Sequence, residues 1–435
     1  MTRVLFISRY YPPEKGAEAV CASESAKRLV KLGNEVTVLT TVPNYPTGIV
    51  PPEYRGRAIQ EEIIDGVRVV RAWSYASPNK GFLRRILSQF SFGCLAPILG
   101  GKAVGKPDIL IVRCPPLFNA IAGRILAWLK RCPFIFTVAD LWPESAVQLG
   151  VLHNRLMIKF AEWLEWSTYQ RARSVCAVTE GIYHNLIQRG LSPERVFLLR
   201  NGVDTVKFRP IPKATARAAL GWDDRYTILY AGTHGLTHGL LSVLDAAELL
   251  LDHENIRFVL SGDGSEKAGL MAQARKRNLT NITFLDAQPH ERIPLLVSAA
   301  DACLVHVRRD VPLFEGMLPI KMYEAMAAAR PILLGVNGEA RQVAEKEAGA
   351  ALYVEPENAR DLVSAILYLR SHPEIAQELG RRGRAYAKSH FDYDLLTTLL
   401  NAQIATLLGE KTAGALPVKA VASPVEVVTA SASKP

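Results

Sequence analysis

Twenty residues late in the chain, Glu315 to Leu334 (EGMLPIKMYEAMAAARPILL), set two glutamates, a lysine and a proline in an order suited to holding an anion. Pro319 suits the first turn of a helix, Lys321 to Ala329 are strong helix formers, and Arg330-Pro331 stops them before an apolar run. The expected order is loop, helix, strand, with Lys321 and Glu324 in the helix's first turns. Backbone N–H groups at a helix start are unpaired and electropositive, so a phosphate docks there and a nearby carboxylate can hold hydroxyls of the same ligand. Taken alone, Glu324 reads more simply as a solvated charge on a surface helix.

Further candidates stand where β-rich runs end, the usual place for ligands in doubly wound sheets. Gly16 closes the loop YYPPEKG after a first strand at Arg3 to Ser8; it either lets a phosphate approach the backbone or starts a turn. Asp140 and Glu144, in ADLWPE after a strand at Phe134 to Val138, suit a base or a sugar-hydroxyl acceptor, although Asp140 could equally cap the turn that follows. The strand Thr227 to Ala231 runs into Gly232-Thr-His-Gly-Leu-Thr-His-Gly239, whose His234 and His238 face either a ligand or solvent. Strand Ile256 to Ser261 ends in Gly262-Asp263-Gly264.

These loops need a scaffold, and the chain supplies a βα rhythm twice. Short β-branched runs alternate with helical stretches as far as Leu199, a proline-rich linker follows at Phe208 to Lys213, and the alternation restarts after Trp222. The expected units are 1–207, 208–385, a helix at 386–410 packing back on the first unit, and a tail at 411–435 without periodicity, expected to be disordered. Asp65-Gly66 between two β-branched runs predicts a hairpin. In residues 80–99, Phe82, Leu83, Ile86, Leu87 and Phe90 share one helical face and Arg84, Arg85, Ser88 and Gln89 the other, a basic amphipathic pattern that suits either an acidic membrane surface or packing on a sheet.

Composition sets outer bounds. The 435 residues exceed one ordinary core, and Lys plus Arg outnumber Asp plus Glu by ten (52 against 42), which favours anionic partners. No basic-aromatic stripe or helix-turn-helix argues for nucleic acid. The six cysteines are scattered without C-x-x-C spacing, so reduced thiols are expected rather than zinc or disulfides, as in the cytosol. Neither a secretory leader nor a membrane-crossing apolar run is evident.

The stretches YYPPEKGAEAV, NGVDTVKF, YAG with its Gly-rich loop, SGDGSE, SAADACLV and LPIKMYEAMAAARPILL followed by GEA together resemble the retaining, nucleotide-sugar-dependent glycosyltransferases of family four. DLWPES and LPIK look like the subgroup that builds bacterial surface polysaccharides and resembles aminosugar transferases. The resemblance implies an α/β protein of GT-B architecture, two Rossmann-like doubly wound parallel-sheet domains facing a central cleft, with the donor on the second domain and a glycan or lipid-linked acceptor on the first. It implies that Glu324 grips the ribose and that Glu315 with Gly316, Met317 and Leu318 meets the donor sugar and diphosphate. It places Asp140, Glu315, Lys321 and His234 in catalysis, and Gly16, Gly232, His238, Asp263, Gly264 and Arg308 at the donor, with no metal or cofactor. Two departures stand out. Glu315 and Glu324 are nine positions apart where the family has eight, and the loop after Gly232 lacks the usual Arg and Lys, leaving Lys321, Arg308 or His234 to supply the charge. A nucleotide-sugar epimerase and a non-catalytic nucleotide-sugar-binding protein are the alternatives. The transferase reading expects a cytoplasmic enzyme, peripheral at the inner face of the membrane.

Overall fold

The computed structural model describes residues 1–409 apart from Lys15, Pro46, residues 77–81, Leu149 and Asp310. The tail at 411–435 and the start of the 80–99 stretch lie outside the described residues. The first half runs β1 (Arg3–Ile7), α1 (Ala17–Lys31), β2 (Glu35–Thr41), β3 (Ile59–Ile64), β4 (Val67–Ala72), α2 (Phe82–Gly100), β5 (Ile109–Cys114), α3 (Asn119–Lys130), β6 (Phe134–Val138), α4 (Glu144–Gln148), α5 (Arg155–Arg171), β7 (Ser174–Ala177), α6 (Glu180–Gln188) and β8 (Val196–Leu198). Its sheet has the order β3-β4-β2-β1-β5-β6-β7-β8. Helices cover both faces, so the central strands are buried on both sides and their sequences run apolar without alternation. Only β3 is antiparallel, paired to β4 through Asp65 and Gly66, whose φ values of 51° and 78° suit the tight turn that Asp-Gly favours.

The second half repeats the plan as α7 (Lys213–Leu220), β9 (Tyr226–Ala231), α8 (Leu241–Leu249), β10 (Ile256–Ser261), α9 (Lys267–Lys276), β11 (Ile282–Leu285), α10 (Ile293–Ala299), β12 (Ala302–His306), α11 (Ile320–Ala327), β13 (Ile332–Gly335), α12 (Glu339–Arg341), β14 (Ala351–Tyr353), α13 (Ala359–Ser371), α14 (Pro373–His390) and α15 (Tyr393–Leu407). Its sheet is parallel throughout, in the order β11-β10-β9-β12-β13-β14. Strand order reverses beside β1 in the first sheet and beside β9 in the second, which opens a crevice at the carboxyl ends of those strands. The last helix crosses back: Leu400 and Ile404 of α15 join the core formed by α1 and the first sheet, and Asn34 donates to Asn401 at 2.9 Å.

Two local expectations are corrected. The apolar face foreseen on α2 divides, because the helix is sandwiched: Ile86, Phe92 and Ala96 turn into the core, whereas Leu83, Leu87 and Phe90 stay exposed. Pro319 is the N-cap of α11 rather than a residue of its first turn, and the chain leaves the helix early, with Ala329 at φ 55°. Among the described residues no helix is long and apolar enough to cross a membrane.

Candidate active site

The crevice of the second domain is assembled from two loops and one helix. The loop after β9 is stitched to the loop after β10: Gly232 N–H donates to the Ser261 carbonyl at 2.9 Å and His234 N–H to that of Asp263 at 2.8 Å. A side chain on Gly264 would collide with the His234 backbone, so glycine is what lets the loops touch. From below, α11 sends Lys321 toward the same loop. Its Nζ lies 3.9 Å from the Tyr230 ring centroid and would stand 2.9 Å from any Cβ on Gly232.

The electrostatics of this spot are unusual. Among the described residues, the buried Lys321 Nζ and both ring nitrogens of His234 have no hydrogen-bond partner. Burial pulls the Lys321 amine down to about 7, against the opposing pull of Glu324. Burial also lowers His234 to about 4, helped by Lys267 and Lys321, and His238 to about 4, helped by Lys321. His306, which donates through Nδ1 to the His238 carbonyl at 2.9 Å and accepts from Glu357 N–H at 3.1 Å, holds the far end of the loop in place. Buried polar groups are normally paired, so an unpaired amine and imidazole at one loop are suited to an anion arriving from outside.

Glu324 lies nearby on α11, on the same side as Lys321. His290 Nε2 is 3.5 Å from its carboxylate, and His290 Nδ1 is 2.7 Å from Lys207 Nζ. The lysine can only donate, so the imidazole carries its proton on Nε2, the nitrogen nearer Glu324. The Glu324 side chain is only 14% exposed.

The remaining candidates scatter. Glu315 and Gly316 belong to a 3-10 turn (Pro312–Gly316) wedged between Gly338 and Gly181, with Met317 exposed and Leu318 buried. Arg308 is held by its N–H to the Thr237 carbonyl at 3.0 Å, and its half-exposed guanidinium approaches Glu357 at 4.0 Å. Asp263 accepts from its neighbour Gly264 N–H at 2.8 Å. Gly16 and Asp140 stand on the first domain, Gly16 against the Tyr45 ring. Asp140 accepts from Ser145 Oγ at 3.0 Å, and burial raises its carboxyl above the usual range, against that hydrogen bond. The structure thus gathers Gly232, His234, His238, Asp263, Gly264, Lys321 and Glu324, and leaves Gly16, Asp140, Arg308 and the 315–318 segment around them.

Sequence reading missed the seam. Glu339 reaches from the second domain to accept the backbone N–H groups of Glu180 and Gly181 at 3.0 and 2.9 Å, capping α6, and buried Arg200 donates to Glu180 at 2.8 Å while lying 3.5 Å from Glu339. Burial raises the Glu339 carboxyl against those partners. Tyr230, His290 and Lys207 were missed too. Glu339, Lys207 and Tyr230 were visible only as members of GEA, NGVDTVKF and YAG.

Two sheets with their switch points beside polar loops, and a buried unpaired amine at one of them, define a two-domain GT-B fold. A Glycosyl transferase 4-like domain model matches residues 16–202 and a Glycosyl transferases group 1 model matches residues 212–386. Between them they take in most of the chain, which belongs to the glycosyltransferases built from this pair. It is 27% identical over 395 residues to WcaI of Escherichia coli (strain K12), which carries the name of a colanic acid biosynthesis glycosyl transferase; the match covers 87% of this chain and 96% of that one. The fold is similar to sucrose-phosphate synthase from Thermosynechococcus elongatus (TM-score 0.74, 19% identity, 94% of this chain and 100% of that chain). It is similar also to Anabaena Alr3699/HepE solved in complex with UDP-glucose (TM-score 0.68, 17% identity, 94% and 100%).

Proposed function

We propose that the enzyme transfers a sugar, with retention at the anomeric carbon, from a nucleotide-diphosphate donor, a UDP-sugar, to a glycan or lipid-linked acceptor in cell-surface polysaccharide biosynthesis. The observation that carries this reading is the unpaired Lys321 amine beneath the Gly232–Gly239 loop. Cleavage of the donor leaves negative charge on the diphosphate, and preorganised cations and N–H donors stabilise such charge most where water is excluded. Lys321, His234 and the start of α11 then act as the partners of the diphosphate, in the place of a metal ion, and Glu324 accepts the ribose hydroxyls. The leaving phosphate takes the acceptor's proton on the same face, and Asp140 on the opposite domain orients the acceptor hydroxyl. The names of WcaI and of the UDP-glucose complex support the pathway and the donor class. Six unpaired cysteine thiols support a reducing, cytoplasmic setting.

The test is transfer itself. Full-length enzyme, radiolabelled UDP-sugars and a membrane lipid extract should give label in an organic-extractable or polymeric product, also after chelator treatment. Donor consumption with no acceptor product, or release of an epimerised donor, would refute the reading.

A further inference from the structure

On the first domain, away from the crevice, a groove of about 1050 Å³ runs between α3 and α5 beside α2 and opens at the amino ends of β6 to β8. Its rim is aromatic: Trp128 and Trp163 are 77% and 56% exposed, and Phe160 stands beside them. Phe90 and Cys94 of α2 line it too, and they continue a stripe formed by Leu83, Leu87 and Ile98, all exposed and all on one side of that helix. A soluble monomer rarely leaves so continuous an apolar surface uncovered.

The charged side chains that line the groove itself have one sign. Arg124, Arg171, Arg173 and Arg195 line the groove, and among the described residues that line it none is acidic. Arg124 lies over the Trp163 ring at 5.5 Å, and Arg195 donates to the backbone carbonyls of Tyr169 and Gln170 at 3.0 and 2.8 Å, so both guanidinium groups are held at the rim. Exposed Arg84 and Arg85 flank the α2 stripe, and exposed Arg131 follows α3. An isologous contact with a second copy would set these arginines against themselves, and nucleic acid would leave the apolar stripe unused. Tryptophan rings and arginines around an apolar trough fit the headgroup level of an acidic bilayer, where the rings sit at the interface, the stripe enters the acyl region and the guanidinium groups meet phosphates.

We propose that the α3–α5 groove together with the exposed stripe of α2 is the docking surface for the acidic face of a phospholipid bilayer, with an acyl chain seated in the groove. The surface adjoins the acceptor side, since Phe90 packs edge-on against Phe118 and Phe118 against Trp142, each pair 5.7 Å apart at the ring centroids. The surface shares no residue with the donor loops, so its test stands apart from the transferase reading.

Full-length protein should float with vesicles containing phosphatidylglycerol and stay unbound with phosphatidylcholine alone. The double variants Trp128→Ser/Trp163→Ser and Arg171→Glu/Arg173→Glu change exposed side chains, and each should lower apparent lipid affinity about tenfold or more, given roughly one unit of kcal/mol for every basic residue at an acidic surface. Both should bind UDP as the wild type does. Equal flotation with neutral vesicles, no flotation, or unchanged flotation of both variants would overturn the proposal. So would a dimer in light scattering that the same substitutions abolish, which would give the face to a second copy.

Discussion

The two domains set polar side chains at equivalent places, the carboxyl ends beside a strand-order switch, yet treat them oppositely. In the first, each group keeps at least one partner: Arg9 donates to Ser88 Oγ at 2.9 Å, Glu14 Oε1 accepts the N–H groups of Asn44 and Tyr45 at 2.9 Å, and buried Arg113 pairs with Glu18 at 3.2 Å, although Arg9 Nε, Glu14 Oε2 and Arg113 Nη2 are left without one. In the second, Lys321 and His234 have no hydrogen-bond partner among the described residues for any side-chain nitrogen. A paired group contributes to the fold with or without ligand, while an unpaired one costs stability until an anion arrives. The first crevice is built to keep its shape, and the second to gain energy from what binds.

That contrast can be broken in order of expected effect. Lys321→Met should cut turnover roughly 10²–10³-fold, as loss of a preorganised charge stabiliser does, yet leave the donor-free protein at least as stable in urea; a clear loss of stability would mean the amine already has a partner. Arg113→Met should do the reverse, costing about 3 kcal/mol of folding free energy by stranding Glu18, with UDP affinity unchanged by calorimetry. Glu324→Ala should weaken UDP binding about tenfold or more, since a hydrogen bond to a charged group is worth about 1.5–3 kcal/mol; unchanged affinity would remove the ribose role.

The smallest effect is titration. The free chain holds Lys321 with a proton only below about 7, and a bound diphosphate favours the charged form. Donor affinity should therefore fall as pH rises, about fivefold between pH 7 and 8, and this slope should vanish in Lys321→Met. The stability sign follows from the same shift. The amine's folded value lies below its unfolded 10.5, so the burial penalty is complete below about pH 7 and fades as pH rises toward 10.5.

Much of this was legible before folding. Strands Phe134–Val138 and Ile256–Ser261 stand where the apolar runs put them, because a strand buried on both faces needs only local composition to show. The Asp65-Gly66 turn and the helix after Pro319 were equally local. The division of α2 was not: a helical wheel groups Ile86 with Leu83 and Leu87, but which stripe meets the core depends on where the sheet lies. Glu315 shows the same limit, since its turn is shaped by Gly338 and Gly181, far away in sequence.

The order of amino acids alone determined two α/β units, their switch-point loops, and a lysine and glutamate in the first turns of one helix. These follow from periodicity and from the steric rules of glycine and proline, which act over a few residues. Only the tertiary structure decided that the Lys321 amine is buried without a partner, that His290 joins Lys207 and stands beside Glu324, and that Glu339 caps α6 across the seam. Burial and pairing depend on groups far apart in the chain, such as Lys207 and His290 or Glu339 and Glu180, meeting in low dielectric, and no local pattern encodes that meeting.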